Sequence, residues 1–327
     1  MVTPLVDSFG RAHRDLRISV TDRCNFRCTY CMPEEGMQWL PREEILTFEE
    51  IGRIAALMVD RYDIDSIRLT GGEPTVRAHL PLLVRQLAAL GVDLAMTTNG
   101  ASLDRSADEL AAAGLRRVNI SLDTLRSDRF EELTRRNELD AVLAGIDAAV
   151  AAGFDPVKIN AVVMAGVNED EIVDLATFGR ERGVHVRFIE FMPLDAGGGW
   201  ARRQVVSQAE ILDRIGAVYP VEPVGRTGEP AQRFRYVDGA GEIGVIPSVT
   251  AAFCEQCDRV RLTAEGQLRN CLFAIDEFDL RGPLRDGADD AELAAVIERC
   301  VTAKWAGHQI GQVTFVKPPK SMSQIGG

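Results

Sequence analysis

The chain of 327 residues has no apolar run near the ~18 residues that a bilayer-crossing helix needs, which excludes such a helix. Its opening residues, MVTPLVDSFGRAHRD, lack the charged-then-apolar order of a secretory signal, so a cytoplasmic protein is expected. It also lacks a basic excess: 37 Lys and Arg against 49 Asp and Glu give a net charge of −12. That balance argues against a broad nucleic-acid surface. An anionic ligand would have to be held locally, by particular arginines or lysines. Solenoid repeats and low-complexity blocks are missing too, which removes the repeat architectures.

Apolar residues are plentiful, at 46%, and suffice for a full core. Seven cysteines in a chain with no signal are expected to be thiols or metal ligands rather than disulfides. Six of them fall into two tight groups, and Cys300 stands alone in a helical stretch, where a buried inert thiol is expected.

From residue 15 to 192 one pattern recurs six times: a short β-branched, apolar run followed by an amphipathic helical segment. The runs are DLRISVTD, SIRLTGGEP, DLAMTTNG, RRVNISLD, PVKINAVVM and HVRFIEFM. Alternating strands and helices imply parallel pairing with right-handed crossovers. Either a doubly wound sheet or a partial barrel satisfies this. The expectation here is α/β, a partial TIM-type (β/α)6 barrel over residues 1–196. Polar residues gather where the runs end, which is where ligands bind in both architectures. The glycine-rich stretch LDAGGGWARR then breaks the pattern. A C-terminal α+β region, 197–327, is expected to follow and to close the barrel mouth. It contains a hairpin with its turn at Ala264–Gly266 and a helix within 289–305.

The first cysteine group, TDRCNFRCTYC, has the spacing C-x3-C-x2-C at Cys24, Cys28 and Cys31. Thiolates favour zinc, copper(I) or iron–sulfur clusters. Zinc sites usually add a second pair or histidines some 12–20 residues on, yet neither cysteine nor histidine follows Cys31 until His79. A cubane on three cysteines leaves one iron free for another ligand. The second group, Cys254, Cys257 and Cys271, has C-x2-C-x13-C spacing and again stops at three. By itself it also reads as a zinc ribbon missing a ligand. Two other readings stay open at this point: a peptide-modifying enzyme that uses a second cluster for electron transfer, and a zinc-stabilised binding protein.

The first triad, with Tyr30 just before its third cysteine and TGGEP closing the next run, resembles the radical S-adenosylmethionine superfamily. The resemblance narrows along the whole chain to the GTP 3′,8-cyclase family, which opens molybdenum cofactor biosynthesis. It rests on LRISVTDRCNFRCTYCMPEEG, SIRLTGGEPTVR, MTTNG, LRRVNISLDTL, FIEFMPL, GGGW, CDRVRL with NCLF, and the terminal Gly326-Gly327.

The resemblance implies two [4Fe-4S] clusters, the first on Cys24, Cys28 and Cys31 and the second on Cys254, Cys257 and Cys271. It implies S-adenosylmethionine contacts at Tyr30, Gly72, Ser121 and Met192. GTP contacts are implied at Arg17, Arg68, Thr97, Lys158, Arg259 and Arg261, the last two also acting in catalysis. A diglycine tail that reaches the site, a flavodoxin- or ferredoxin-type reductant, product transfer to cyclic pyranopterin monophosphate synthase and a homodimer are implied as well. Arginines on core strands are costly unless an anion meets them, which suits this reading.

Overall fold

The computed structural model describes residues 3–326 apart from 34, 36, 195–197 and 226–228. The end of the chain at Gly327, and part of the glycine-rich break, lie outside the described residues.

Each of the six runs forms a strand: β1 Asp15–Ser19, β2 Ser66–Thr70, β3 Asp93–Thr98, β4 Arg117–Ser121, β5 Val157–Val163 and β6 His185–Glu190. All neighbours among them pair parallel in chain order. The C-terminal region supplies β7 Val221–Pro223, β8 Gln232–Tyr236, β9 Glu242–Ile246, β10 Arg259–Leu262, β11 Gln267–Arg269 and β12 Phe278–Asp279. These strands join the same sheet, whose order is β12-β11-β10-β1-β2-β3-β4-β5-β6-β9-β8-β7. β10 lies parallel to β1 and β9 lies parallel to β6, so the six-strand parallel set is widened by one strand on each flank. The expected hairpin is the antiparallel pair β10–β11, with Arg261 opposite Arg269.

The alternation in the strands explains the layering. Leu16, Ile18, Ile67, Leu69, Leu94, Met96, Val118, Ile120, Ile159, Val186 and Phe188 are fully buried and form one apolar core. Onto this core pack the apolar stripes of α1 Phe48–Tyr62, α2 Leu80–Ala88, α3 Leu103–Ala112, α4 Ser127–Thr134, α5 Leu139–Ala151 and α6 Ile172–Arg182. Residues between those positions face the other way: Arg17, Arg68, Thr97, Asn119, Lys158, Asn160, Arg187, Arg259 and Arg261. The period of two therefore places a cationic row on one face of a sheet that is buried on both.

α7 Gln208–Gly216 and α9 Asp290–Thr302 complete the helical packing, after the one-turn α8 Arg281–Arg285 in the case of α9. The starts of α1, α7 and α9 carry capping boxes, Thr47 with Glu50, Ser207 with Glu210 and Asp289 with Glu292, which satisfy otherwise orphaned amides. A four-residue helix, α10 Met322–Ile325, ends the described chain.

A small hairpin, Leu5–Val6 with Ala12–His13, buries His13 completely. Burial, then the nearby charge of Lys304, holds this imidazole down to about 4. The unfolded chain therefore takes up the proton first. Stability from this residue is present above the ordinary histidine pKa and is lost as the pH falls toward 4. Between pH 7 and 5 the loss comes to about 2 kcal/mol. His13→Leu should flatten that part of the acid sensitivity, read from urea midpoints of both proteins at the two pH values.

Candidate active site

The first triad sits on the loop after β1. Cys31 and Met32 donate backbone N–H groups to the Cys28 carbonyl at 2.9 Å each, which folds the C-x2-C segment into a turn. The loop after β2 locks this one in place: the Gly72 N–H donates to the Thr21 carbonyl at 2.8 Å, and the Glu73 N–H to the Arg23 carbonyl at 2.8 Å. A Cβ on Gly72 would lie 2.3 Å from the Arg23 carbonyl oxygen, so the second glycine of TGGEP exists for contact between two stretches of this chain. Its N–H is thus already used, and only its carbonyl side remains for a ligand. Gly72→Ala is expected to displace the cysteine loop, costing about 1–3 kcal/mol. A lower thermal midpoint together with reduced iron uptake would verify this.

Cys24, Cys28 and Cys31 line one cavity of about 1060 Å³, open to solvent, with Tyr30, Gly72, Ser121 and Asp123 also in its wall. Burial raises all three thiols, Cys24 to about 12 and Cys31 to about 11, and Cys28 well above its ordinary value. Thiolates would form here in response to a bound cation, the chemistry an iron–sulfur donor set needs. Among the described residues, no three His, Cys, Asp or Glu side chains converge as they would around a single ion.

Two carboxylates that went unassigned in the sequence organise this cavity. Glu73 is buried and accepts from Thr98 Oγ1 and the Asn99 N–H, both at 2.6 Å, and from Thr75 Oγ1 at 2.7 Å. Burial raises its pKa despite these donors. Asp123 accepts from the Tyr30 hydroxyl at 2.6 Å and from the Val162 N–H at 2.8 Å, and burial pushes it up to about 6. Glu73 was legible as part of TGGEP, whereas Asp123 offered only its place at a strand end.

The second triad lines a neighbouring cavity of about 1000 Å³ together with Arg17, Arg187, Arg259 and Arg261. Cys254 begins a single 3-10 turn, and Cys257 caps its end, separated by one residue from the start of β10. Burial opposes ionisation of Cys257, but Arg259 and Lys304 outweigh it and hold the thiol down to about 6. The buried Lys304 ammonium stands 3.7 Å from the Cys257 sulfur and donates to the Arg259 carbonyl at 2.8 Å. Sequence reading missed Lys304, a single lysine after an alanine-rich helix. Cys300 is enclosed in the apolar core and off the cavity wall, as expected of an inert thiol.

The arginines here face one another with few carboxylates. Arg261, Arg17 and Arg68 are direct register partners on β10, β1 and β2. Arg17 has Asp15 at 3.5 Å. Arg17 Nε, and both Nε and Nη1 of Arg68, are buried with no hydrogen-bond partner among the described residues. Burial lowers Arg17 and Arg68 to about 10 in spite of Asp15. Arg261 falls well below its ordinary value through burial and the charges of Arg17 and Arg259. Orphaned buried guanidinium donors of this kind mark a place built for an anion.

The residues inferred from sequence separate in a definite way. Tyr30, Gly72 and Ser121 share the first cavity, and Arg17, Arg259 and Arg261 the second. Thr97 lies in the wall of both. Met192, expected beside S-adenosylmethionine, lines the second cavity three residues after Ile189, which lies in both walls, while Phe191 packs with Leu133 and Met164. Lys158 opens into a third, smaller cavity with Arg187 and Glu229, and burial followed by Arg187 brings it down to about 7. Arg68 stays in the cationic row but lines none of these three cavities.

Asn160, Ile189 and Met322 join Thr97 in both walls, so the two cysteine cavities are contiguous. Met322 comes from the tail helix α10. The buried Gly326 that follows accepts a hydrogen bond from Arg261 Nη1 at 2.5 Å, which brings the tail to the arginines. A Cβ on Gly326 would sit 3.0 Å from Thr70, and its φ of +82° also favours glycine.

Family models match the chain in two parts. Residues 18–179 match the Radical SAM superfamily and residues 184–310 match Molybdenum Cofactor Synthesis C. Solved structures agree in fold. SuiB of Streptococcus suis bound to S-adenosylmethionine superimposes with a TM-score of 0.60 at 16% identity, covering 87% of this chain and 68% of that one. Methylornithine synthase gives 0.52 at 17% identity, covering 88% and 86%. Fold and first triad together define a radical S-adenosylmethionine protein.

Curated relatives narrow the class. The GTP 3′,8-cyclase of Streptomyces coelicolor is 48% identical over 328 residues, covering 99% of this chain and 96% of that one. Its counterpart in Mycolicibacterium smegmatis is 47% identical over 332 residues, covering 99% and 92%. The chain belongs to the GTP 3′,8-cyclase family.

Proposed function

We propose that this protein converts GTP into (8S)-3′,8-cyclo-7,8-dihydroguanosine 5′-triphosphate, the first step of molybdenum cofactor biosynthesis. The observation that carries the reading is one interior with two cysteine triads, where four arginines surround the second triad and a shared wall joins it to the first. The donor sets suit two [4Fe-4S] clusters. When loaded, the first would supply the electron that cleaves S-adenosylmethionine into methionine and a 5′-deoxyadenosyl radical.

The chain's own residues hold the partners of that chemistry. In this reading Tyr30, Ser121 and the carbonyl side of Gly72 bind S-adenosylmethionine. Cys254, Cys257 and Cys271 carry the second cluster, next to which the guanine lies. Arg17, Arg68, Lys158, Arg259 and Arg261 take the phosphates and Thr97 adds a hydroxyl contact, while Met192 meets S-adenosylmethionine from the shared side of the two cavities.

The atoms balance as follows. Hydrogen would pass from C3′ to the 5′-deoxyadenosyl group, C3′ would bond to C8, and one electron and one proton would complete the dihydro product, an isomer of GTP. Because the reactive species is indiscriminate, fixing the ribose between two cavities is the protein's main contribution.

The sheet fits an incomplete barrel over 1–196 whose flanks and mouth are completed by 197–327. A flavodoxin- or ferredoxin-type donor would deliver the electron in the cytoplasm, a homodimer would be the working form, and cyclic pyranopterin monophosphate synthase would consume the product. No described helix is long and apolar enough to cross a membrane. The test is anaerobic turnover of the iron-loaded protein with GTP, S-adenosylmethionine and dithionite. Cyclised nucleotide with 5′-deoxyadenosine supports the reading. 5′-Deoxyadenosine alone, with GTP recovered intact, overturns it.

A further inference from the structure

The cationic row has uneven partners. Arg117 pairs with Asp93, and Arg233 pairs with Glu242. Arg261 meets a backbone carbonyl, and Arg259 lies over the Phe253 ring at 4.8 Å. Lys158 and Arg187 share one carboxylate: Glu229 stands 3.6 Å from Lys158 through one oxygen and pairs directly with Arg187 through the other. The two cations are nearly enclosed, at 7% and 9% exposed, whereas the Glu229 side chain is 33% exposed. Arg187 also belongs to the wall of the arginine-lined cavity, as does Pro230, the residue after Glu229.

We infer that Glu229 is a built-in stand-in for a phosphate group: its single charge partly offsets those of Lys158 and Arg187, and it yields them to the terminal phosphates of the nucleotide. The inference rests on the GTP reading above and makes Glu229 a determinant of affinity for that substrate. A carboxylate one-third exposed has room to move outward, and the cost of uncovering two buried cations is offset when another anion takes its place. A polyanion that arrives with several charges replaces its single charge with a net gain. While it stays, the carboxylate weakens every anion that needs the same two cations, and a ligand without phosphates does not sense it.

The test compares wild type, Glu229→Gln and Glu229→Asp as iron-loaded, full-length proteins. It reads KM for GTP and inhibition by guanosine. The glutamine variant should lower KM roughly fivefold, leave guanosine inhibition unchanged, and differ from the aspartate variant, which should stay near wild type. An unchanged or raised KM in Glu229→Gln, or an equal tightening of guanosine, overturns the inference. If the wild type fails to convert GTP, the functional reading falls, and binding of inorganic triphosphate to the same proteins still decides this point. Tighter binding by Glu229→Gln sustains the inference, and equal or weaker binding overturns it.

Discussion

Arg261→Ala is expected to lose GTP cyclisation by roughly a hundredfold or more, while still cleaving S-adenosylmethionine to 5′-deoxyadenosine. Arg261 is buried beside Arg17 and Arg259, and among the described residues its guanidinium donates to the Gly326 carbonyl. Burial and the charges of Arg17 and Arg259 make its own charge unfavourable and lower its pKa, and that charge becomes useful when an anion arrives. The same substitution should leave the thermal midpoint of the protein unchanged or raise it, because a repelled buried cation has gone. A catalytic collapse with undiminished thermal stability would separate a ligand-binding role from a structural one. Normal yields of cyclised product from this variant would refute the assignment.

The second large effect concerns the cysteines next to those arginines. A Cys254/Cys257/Cys271→Ala protein should fall from about eight irons to about four after anaerobic reconstitution, and lose cyclised product altogether. Cys24, Cys28 and Cys31 line a cavity whose wall includes none of Cys254, Cys257 and Cys271, so the first triad should load independently. S-Adenosylmethionine cleavage should accordingly survive. Four irons in both proteins, or zinc in the wild type, would show that the second triad holds no iron–sulfur cluster.

Much of this molecule was readable before its structure, for reasons that differ between elements. The six parallel strands announce themselves through β-branched runs at regular spacing, and FEEIGRIAALMVDRY coincides with α1 from Phe48 to Tyr62. Membership of β9 and β10 in the same sheet was not readable. Pairing Arg259 with Asp15 and Ile243 with Val186 is a long-range choice that local patterning does not encode.

In the site, the cysteines and the strand arginines were visible because soft ligands in tight spacing, and charges on core strands, are each unusual. Gly72 lines the first cavity, and its N–H donates to the cysteine loop at the Thr21 carbonyl, a contact its motif did not reveal. Met192 lines the second cavity three residues after Ile189, which stands in both walls, a detail that its place at a strand end does not encode. Lys304 and Glu229 left no trace in sequence. Each acquires its meaning from a partner more than 40 residues away, Cys257 in one case and Lys158 and Arg187 in the other.

The way β10 and β9 flank the six central strands bears on how such a protein can be divided. The stretch that carries the first triad ends, on both sides, in strands whose hydrogen-bonding partners lie beyond residue 240. Cut away from them, it would present two bare strand edges, the sort of surface that recruits other chains and aggregates. Radical generation and nucleotide handling are therefore sewn together along both margins of a single sheet. Neither can be transplanted into another protein as a module without re-hemming those margins.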